Sequence, residues 1–191
     1  MKTCFCNAKQ IALVLGSAGL VLGAPALLAA DSGNGGPFIG GDAGVNLITL
    51  SGVSGSHKPS IDPGLRTDLE AGYAFPLSDQ FTLAPELEVG FLYNSYTGGD
   101  LYQVPVLGNL IVSYKVDSDW TLYAGGGAGN EYADTSSGGY NKDDFAWQVE
   151  GGVKYKLGSG DLGLGYKYLD FAPSGAKFGN SAILLSYTFH F

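Results

Sequence analysis

The groups with the widest chemical range in this chain are two histidines, His57 and His190, and a set of acids and bases separated by single residues. A Ser–His pair could carry acyl transfer, in which imidazole takes the proton of an attacking hydroxyl. His57 lies in "SGSHKPS" with Ser54, Ser56 and Ser60 close by, but His190 stands at the other end of the sequence. No acyl-transfer motif sits on a regular element. His57 therefore reads as a solvated loop residue and His190 as an interior polar residue near a rim. No catalytic residue is expected, and the chain is read as a non-enzyme.

Metal and cofactor chemistry are no better supported. The acidic pairs Asp143–Asp144 and Asp117/Asp119 lack the spaced oxygen ligands of a calcium loop. "AGGGAG" (Ala124 to Gly129) is rich in glycine, but no helix follows it and no Lys is placed as in a phosphate-binding loop. Its small residues instead make room for bulky neighbours. No cofactor and no metal are expected. With 10 basic and 18 acidic residues, a formal charge of −8, the chain offers no nucleic-acid surface.

The remaining chemistry lies in charges that alternate with apolar residues, as in "LRTDLE" and "PELEV". Residues two apart share one face of a β-strand, so an extended chain must position them. Composition agrees: 31 Gly, 12 Tyr and 10 Phe suit a sheet with tight turns. At 191 residues the chain holds one domain.

The long apolar run is N-terminal. Lys2 and Lys9 precede an apolar stretch from Ile11 to about Leu22, Gly23 and Pro25 break it, and small residues lead to Ala29 and Ala30. This is the layout of a secretory signal peptide, with cleavage expected after Ala30. The expected division is a signal peptide over 1–30, a short segment over 31–36 and a sheet domain over 37–191. A membrane anchor is the competing reading, disfavoured by the Gly and Pro breaks and the missing basic cluster. Both cysteines, Cys4 and Cys6, fall within the leader, so the mature chain has no disulfide. Loss of Lys2 and Lys9 leaves 8 basic against 18 acidic residues, a charge of −10.

Alternation predicts eight strands: 37–47, 64–75, 81–94, 101–115, 120–132, 144–157, 162–171 and 181–191. Each is long enough to cross a bilayer when tilted. In the second strand Leu65, Thr67, Leu69, Ala71, Tyr73 and Phe75 oppose Arg66, Asp68, Glu70 and Gly72. In the sixth, Phe145, Trp147, Val149, Gly151, Val153, Tyr155 and Leu157 oppose Gln148, Glu150, Lys154 and Lys156. Asp170, at a strand end, is the one charge on an apolar face. A charge facing lipid at mid-membrane costs about 2–4 kcal/mol in a barrel, so this absence is informative.

Connections alternate as well. Those around 48–62, 95–100, 133–143 and 172–180 read as longer loops, whereas "PLSDQ", "VDSD" and "GSGD" read as tight turns. Aromatics gather near both strand ends: Tyr73, Phe75, Phe81, Tyr114, Trp120, Tyr155 and Phe189 at the short-turn end, and Phe91, Tyr93, Phe145, Trp147 and Tyr168 at the other. Two such girdles, with long loops at one end only, favour a transmembrane barrel over a soluble barrel with its apolar face inside. Eight strands leave an interior filled by side chains.

Near mid-membrane the inward face carries Asp42, Arg66, Asp68, Glu70, Glu86, Glu88, Glu150 and Lys167, with Lys154 on the same face. Such charges must pair or change protonation state in low dielectric. The plain expectation is a charge network plugging the lumen. The sharper one is a gate, in which six acids facing two bases bind cations.

"LYAGGGAGNEY", "FAWQVEGGVKYKL", "DLGLGYKYLDF" and the final "ILLSYTFHF", taken in order, resemble the small outer-membrane β-barrel proteins, the OmpX-like, opacity-protein-like and OmpA-barrel-like family. The resemblance covers Phe38 to Phe191. It implies an all-β, eight-stranded antiparallel up-and-down barrel in the outer membrane of a Gram-negative-type envelope. It also implies contact with lipid and lipopolysaccharide, and recognition of Tyr187, Phe189 and Phe191 by the barrel assembly machinery. OmpA-type proteins continue into a peptidoglycan-binding domain; here the sequence stops at the last strand, so that function is not implied. The expected role is structural or surface-interacting, in envelope integrity, adhesion or recognition of an extracellular ligand through loops. The alternatives are a narrow ion channel, a lipid A-modifying enzyme and a soluble lipocalin-like barrel.

Overall fold

The computed structural model of the protein describes residues 35–51, 61–136, 141–171 and 177–191. Eight strands run in chain order: β1 (Gly36–Ser51), β2 (Gly64–Pro76), β3 (Phe81–Tyr96), β4 (Gly99–Lys115), β5 (Trp120–Thr135), β6 (Asn141–Leu157), β7 (Gly160–Phe171) and β8 (Lys177–His190). Each pairs antiparallel with its neighbours in sequence, and β8 returns to pair with β1, closing the barrel. Closure leaves no sheet edge, the condition for a sheet to stand in lipid. The last residue takes part, because the Phe191 amide donates to the Pro37 carbonyl at 3.1 Å.

The alternation resolves into an apolar outside and a largely polar inside. Leu69 and Ile183 are 70% and 63% exposed on the outer wall, where Leu65, Val149, Leu164 and Leu185 accompany them. Arg66, Glu88, Gln148 and Lys167 are buried inside. A soluble barrel would reverse this arrangement, so that alternative fails. The girdles form as ring pairs: Phe81–Tyr114 and Trp120–Tyr155, both at 5.0 Å, near the short turns, and Trp147–Tyr168 at 5.8 Å near the other end. Tyr102 joins the upper girdle through Tyr93 at 5.4 Å.

The strands exceed the expected lengths, and most of the excess lies at the long-loop end. β1 continues past residue 47 to Ser51 against Lys177–Ser181, and β5 and β6 add pairs up to Asp134 and Asn141. At 16 or 17 residues these strands outrun the 9–11 that cross a bilayer, so the wall rises above it. There the outer face turns polar, with Asp134 and Asp143 pointing outward beside Asp170. The expected loop at 95–100 is corrected: β3 and β4 form a hairpin whose connection is Thr97–Gly98, with Gly98 at φ 115°. The left-handed backbone there suits glycine. At the opposite end, Asp117 Oδ1 accepts the amides of Asp119 and Trp120, both at 2.8 Å. These bonds hold its carboxyl below the usual range.

Candidate functional site

The interior is built by register. Antiparallel pairing of β1, β2 and β3 sets Asp42 directly opposite Asp68 and Glu70 directly opposite Glu88. Like charges facing each other across a ladder repel, so each pair must be offset by neighbouring groups. From the far wall β7 supplies Lys167, the cross-strand partner of Glu150. Its Nζ lies 2.8 Å from Asp42, 3.1 Å from Asp68, 2.9 Å from Glu88 and 4.0 Å from Glu150. Arg66 approaches from above. Nε meets Asp68 at 2.8 Å, while Nη2 meets Glu88 at 2.9 Å and Gln148 Oε1 at 3.0 Å. These ion-paired groups have side-chain exposures of 0–3%.

Neutral amides complete the cluster. Gln148 Nε2 donates to Glu88 at 2.8 Å, and Asn109 Nδ2 donates to Glu86 and Glu88, both at 3.0 Å. Glycine on β5 makes Asn109's position available: a Cβ at Gly127 would overlap Asn109 Oδ1. The "AGGGAG" segment thus serves as lumen space. Likewise Tyr123 reaches across toward Gly165, where a Cβ would collide with its hydroxyl.

Six of the nine expected network residues, Asp42, Arg66, Asp68, Glu88, Glu150 and Lys167, fall in this ion-pair cluster. Glu70 and Glu86 lie beside it without an ion pair among the described residues. Glu70 accepts from Thr188 Oγ1 at 3.3 Å. Lys154 stands apart: Nζ donates to Thr188 at 3.2 Å and lies 5.0 Å from the Tyr123 ring centre. The sequence reading did not assign roles to Asn109, Tyr123 and Thr188. It placed Gln148 on the polar face without giving it a partner. Tyr187 and Phe189 face outward on β8, with Phe191 just beyond, 5.1 Å from the Phe189 ring. His190 meets Asp161 at 2.9 Å at the short-turn mouth. Ala30, Ser54, Ser56, His57 and Ser60 lie outside the described residues.

Above the charges the lumen changes character. Leu92, Leu101, Leu107, Ala133, Ala146, Leu169 and Phe171 form one buried cluster, joined by Ile48, Tyr96 and Phe178. Seven of the eight strands contribute to it. Beside it Asn46 donates to Asn94 at 2.8 Å and to Asn180 at 3.1 Å, and Gln103 pairs with Glu131. Below the charges, by contrast, a vestibule of about 160 Å³ opens at the short-turn mouth among Lys154, Lys156, Asp161 and His190.

An apolar-walled, closed barrel with two aromatic girdles and a buried polar lumen is a transmembrane β-barrel of the kind found in Gram-negative outer membranes. Residues 16–191 match the family described as outer membrane protein beta-barrel domain, and the chain belongs to that family. The fold is shared with Neisserial surface protein A (18% identity, TM-score 0.62, covering 81% of this chain and 97% of that one). It is shared with OprG from Pseudomonas aeruginosa (19%, TM-score 0.52, 85% and 100%). Ail, the attachment invasion locus protein of Yersinia pestis, is similar in its complex with the heparin analogue sucrose octasulfate (15%, TM-score 0.50, 82% and 99%). No curated protein matches the sequence.

Proposed function

We propose that this outer-membrane barrel is a non-catalytic structural and surface-interaction protein whose lumen is closed to ion flow. The observation that supports this reading is an ion-paired cluster beneath an apolar one inside the barrel. The gate reading is the weaker one, because opening the charge cluster alone leaves the apolar cluster across the path. His190 is engaged by Asp161 at the periplasmic mouth, away from the outer leaflet where a lipid A-modifying Ser–His pair would work. Outward recognition falls to the extracellular rim, which carries Asp62, Asp100, Asp134, Asp143 and Asp144. Ail's structure holds a heparin analogue; an acidic rim suits a neutral or cationic ligand better than such a polyanion.

Export under the leader with cleavage after Ala30, and recognition of Tyr187, Phe189 and Phe191 by the assembly machinery, belong to the same reading. Deleting Phe191 reduces barrel assembly, followed as a heat-modifiable band, while export is unchanged. Normal insertion of the truncated chain removes that role from Phe191. Planar-bilayer recordings test closure. Wild type, Arg66→Ala and Lys167→Ala give no sustained cation-selective events; such events from any of them would replace this reading with a gated channel.

A further inference from the structure

The two facing acid pairs are not treated alike. Lys167 bridges Asp42 and Asp68, and Glu88 is held by Arg66 and Lys167. Glu70, opposite Glu88, and Glu86, one turn of the pleat below it, have no cationic partner among the described residues. Oxygens of Glu70, Glu86 and Glu88 nevertheless lie within 4.8 Å of one another. Glu70 and Glu86 border a cavity of about 20 Å³ also lined by Asp42, Glu150, Ser186, Lys154 and Lys167. Three polar atoms of those cavity-lining residues are buried without any hydrogen-bond partner: Glu150 Oε1, Asp42 Oδ1 and Ser186 Oγ. The Glu150 and Asp42 side chains are each 3% exposed. Unpaired carboxylate oxygens in such a place carry the full desolvation penalty. The cavity shares Glu86, Ile111 and Lys154 with the open vestibule, which gives access from the periplasm.

We propose that this cavity is a cation site, in which Glu70 and Glu86, with Glu150 lining the same space and Glu88 beside them, bind a calcium-sized divalent ion admitted from the periplasmic mouth. All the donors are hard oxygens, which select Ca²⁺ or Mg²⁺ over thiolate- and imidazole-seeking metals. Coordination habit favours calcium: it accepts irregular oxygen sets at about 2.3–2.6 Å, whereas magnesium demands near-octahedral geometry at about 2.0–2.1 Å and retains its waters. The ion does for Glu70 and Glu86 what Lys167 does for Asp42 and Asp68. Lys154 and Lys167 also line the cavity, but Lys154 Nζ is turned onto Thr188 and Tyr123, and Lys167 Nζ is held by Asp42, Asp68 and Glu88.

Tyr123 also lines the cavity, which supplies the probe. Purified, refolded barrel in detergent is titrated with Tb³⁺, a calcium surrogate whose emission is sensitised by a neighbouring tyrosine. The expected result is saturable emission displaced by Ca²⁺. Affinity should fall at least tenfold in Glu70→Gln/Glu86→Gln and stay unchanged in Asp143→Asn/Asp144→Asn. Most emission should be lost in Tyr123→Phe. Ca²⁺ should raise the unfolding midpoint of wild type and not that of the double Gln variant. If that variant does not fold, Glu150→Gln replaces it, with the same expected loss. Absence of saturable binding overturns the proposal. So does binding equal in wild type and the lumen variants, which would place the ion on surface aspartates.

Discussion

The lower and upper halves of the lumen are filled by opposite means. Below, Arg66 and Lys167 hold buried carboxylates by ion pairs and amides. Above, Leu92, Leu107, Leu169 and Phe171 exclude water by packing. The charged half adjoins an open vestibule; the apolar half is flanked by the Asn46–Asn94–Asn180 triplet and the Gln103–Glu131 pair, and buried oxygens without a hydrogen-bond partner occur in both halves. The difference gives the barrel a direction. On the proposed reading its polar interior opens toward the periplasm, and its outer half separates that interior from the cell surface.

The largest effect should come from the charged half. Arg66→Ala leaves Asp68 and Glu88 with Lys167 as their one remaining cation among the described residues and should lower stability by about 3–5 kcal/mol, read from the unfolding midpoint in denaturant. Leu169→Ala in the apolar half should cost less within the range of about 2–5 kcal/mol, because neighbouring side chains can relax into the space. The conductances sharpen the contrast. Neither substitution alone should open a path, and the two together should. A conducting Leu169→Ala single variant would show that the charged half does not close the bore by itself.

Much of this was legible in the sequence, because the outer wall obeys one rule. Alternation with lipid on one side leaves a strict apolar period from Leu65 to Phe75 and from Phe145 to Leu157. The same parity that sent those residues outward sent Asp42, Glu70, Glu88 and Lys167 inward. Strand ends were harder. Above the bilayer the outer residues become Asp134, Asp143 and Ser181, so the lipid cue vanishes although pairing continues. That is how 95–100 came to read as a loop while it forms a hairpin around Thr97–Gly98.

Partners inside the lumen were not legible, since barrel shear decides which residues share a level. Arg66 and Gln148 are 82 positions apart and meet across the bore. Lys154, on the correct face, sits too low to join the ion pairs. The apolar plug did leave a signal. "GFLY" and "YLDF" carry adjacent apolar residues, as strands must when both faces avoid water. In those stretches Leu92, Leu169 and Phe171 are the inward members.

Closure of the outer half is tested most directly by thiol accessibility in proteoliposomes, using a chain with Cys4 and Cys6 replaced by serine. Thr121→Cys lies in the vestibule and Ala133→Cys in the apolar cluster. A membrane-impermeant thiol reagent should label Thr121→Cys from the short-turn side and leave Ala133→Cys unlabelled from either side. Labelling of Ala133→Cys at the rate of Thr121→Cys would contradict a lumen closed above its charges.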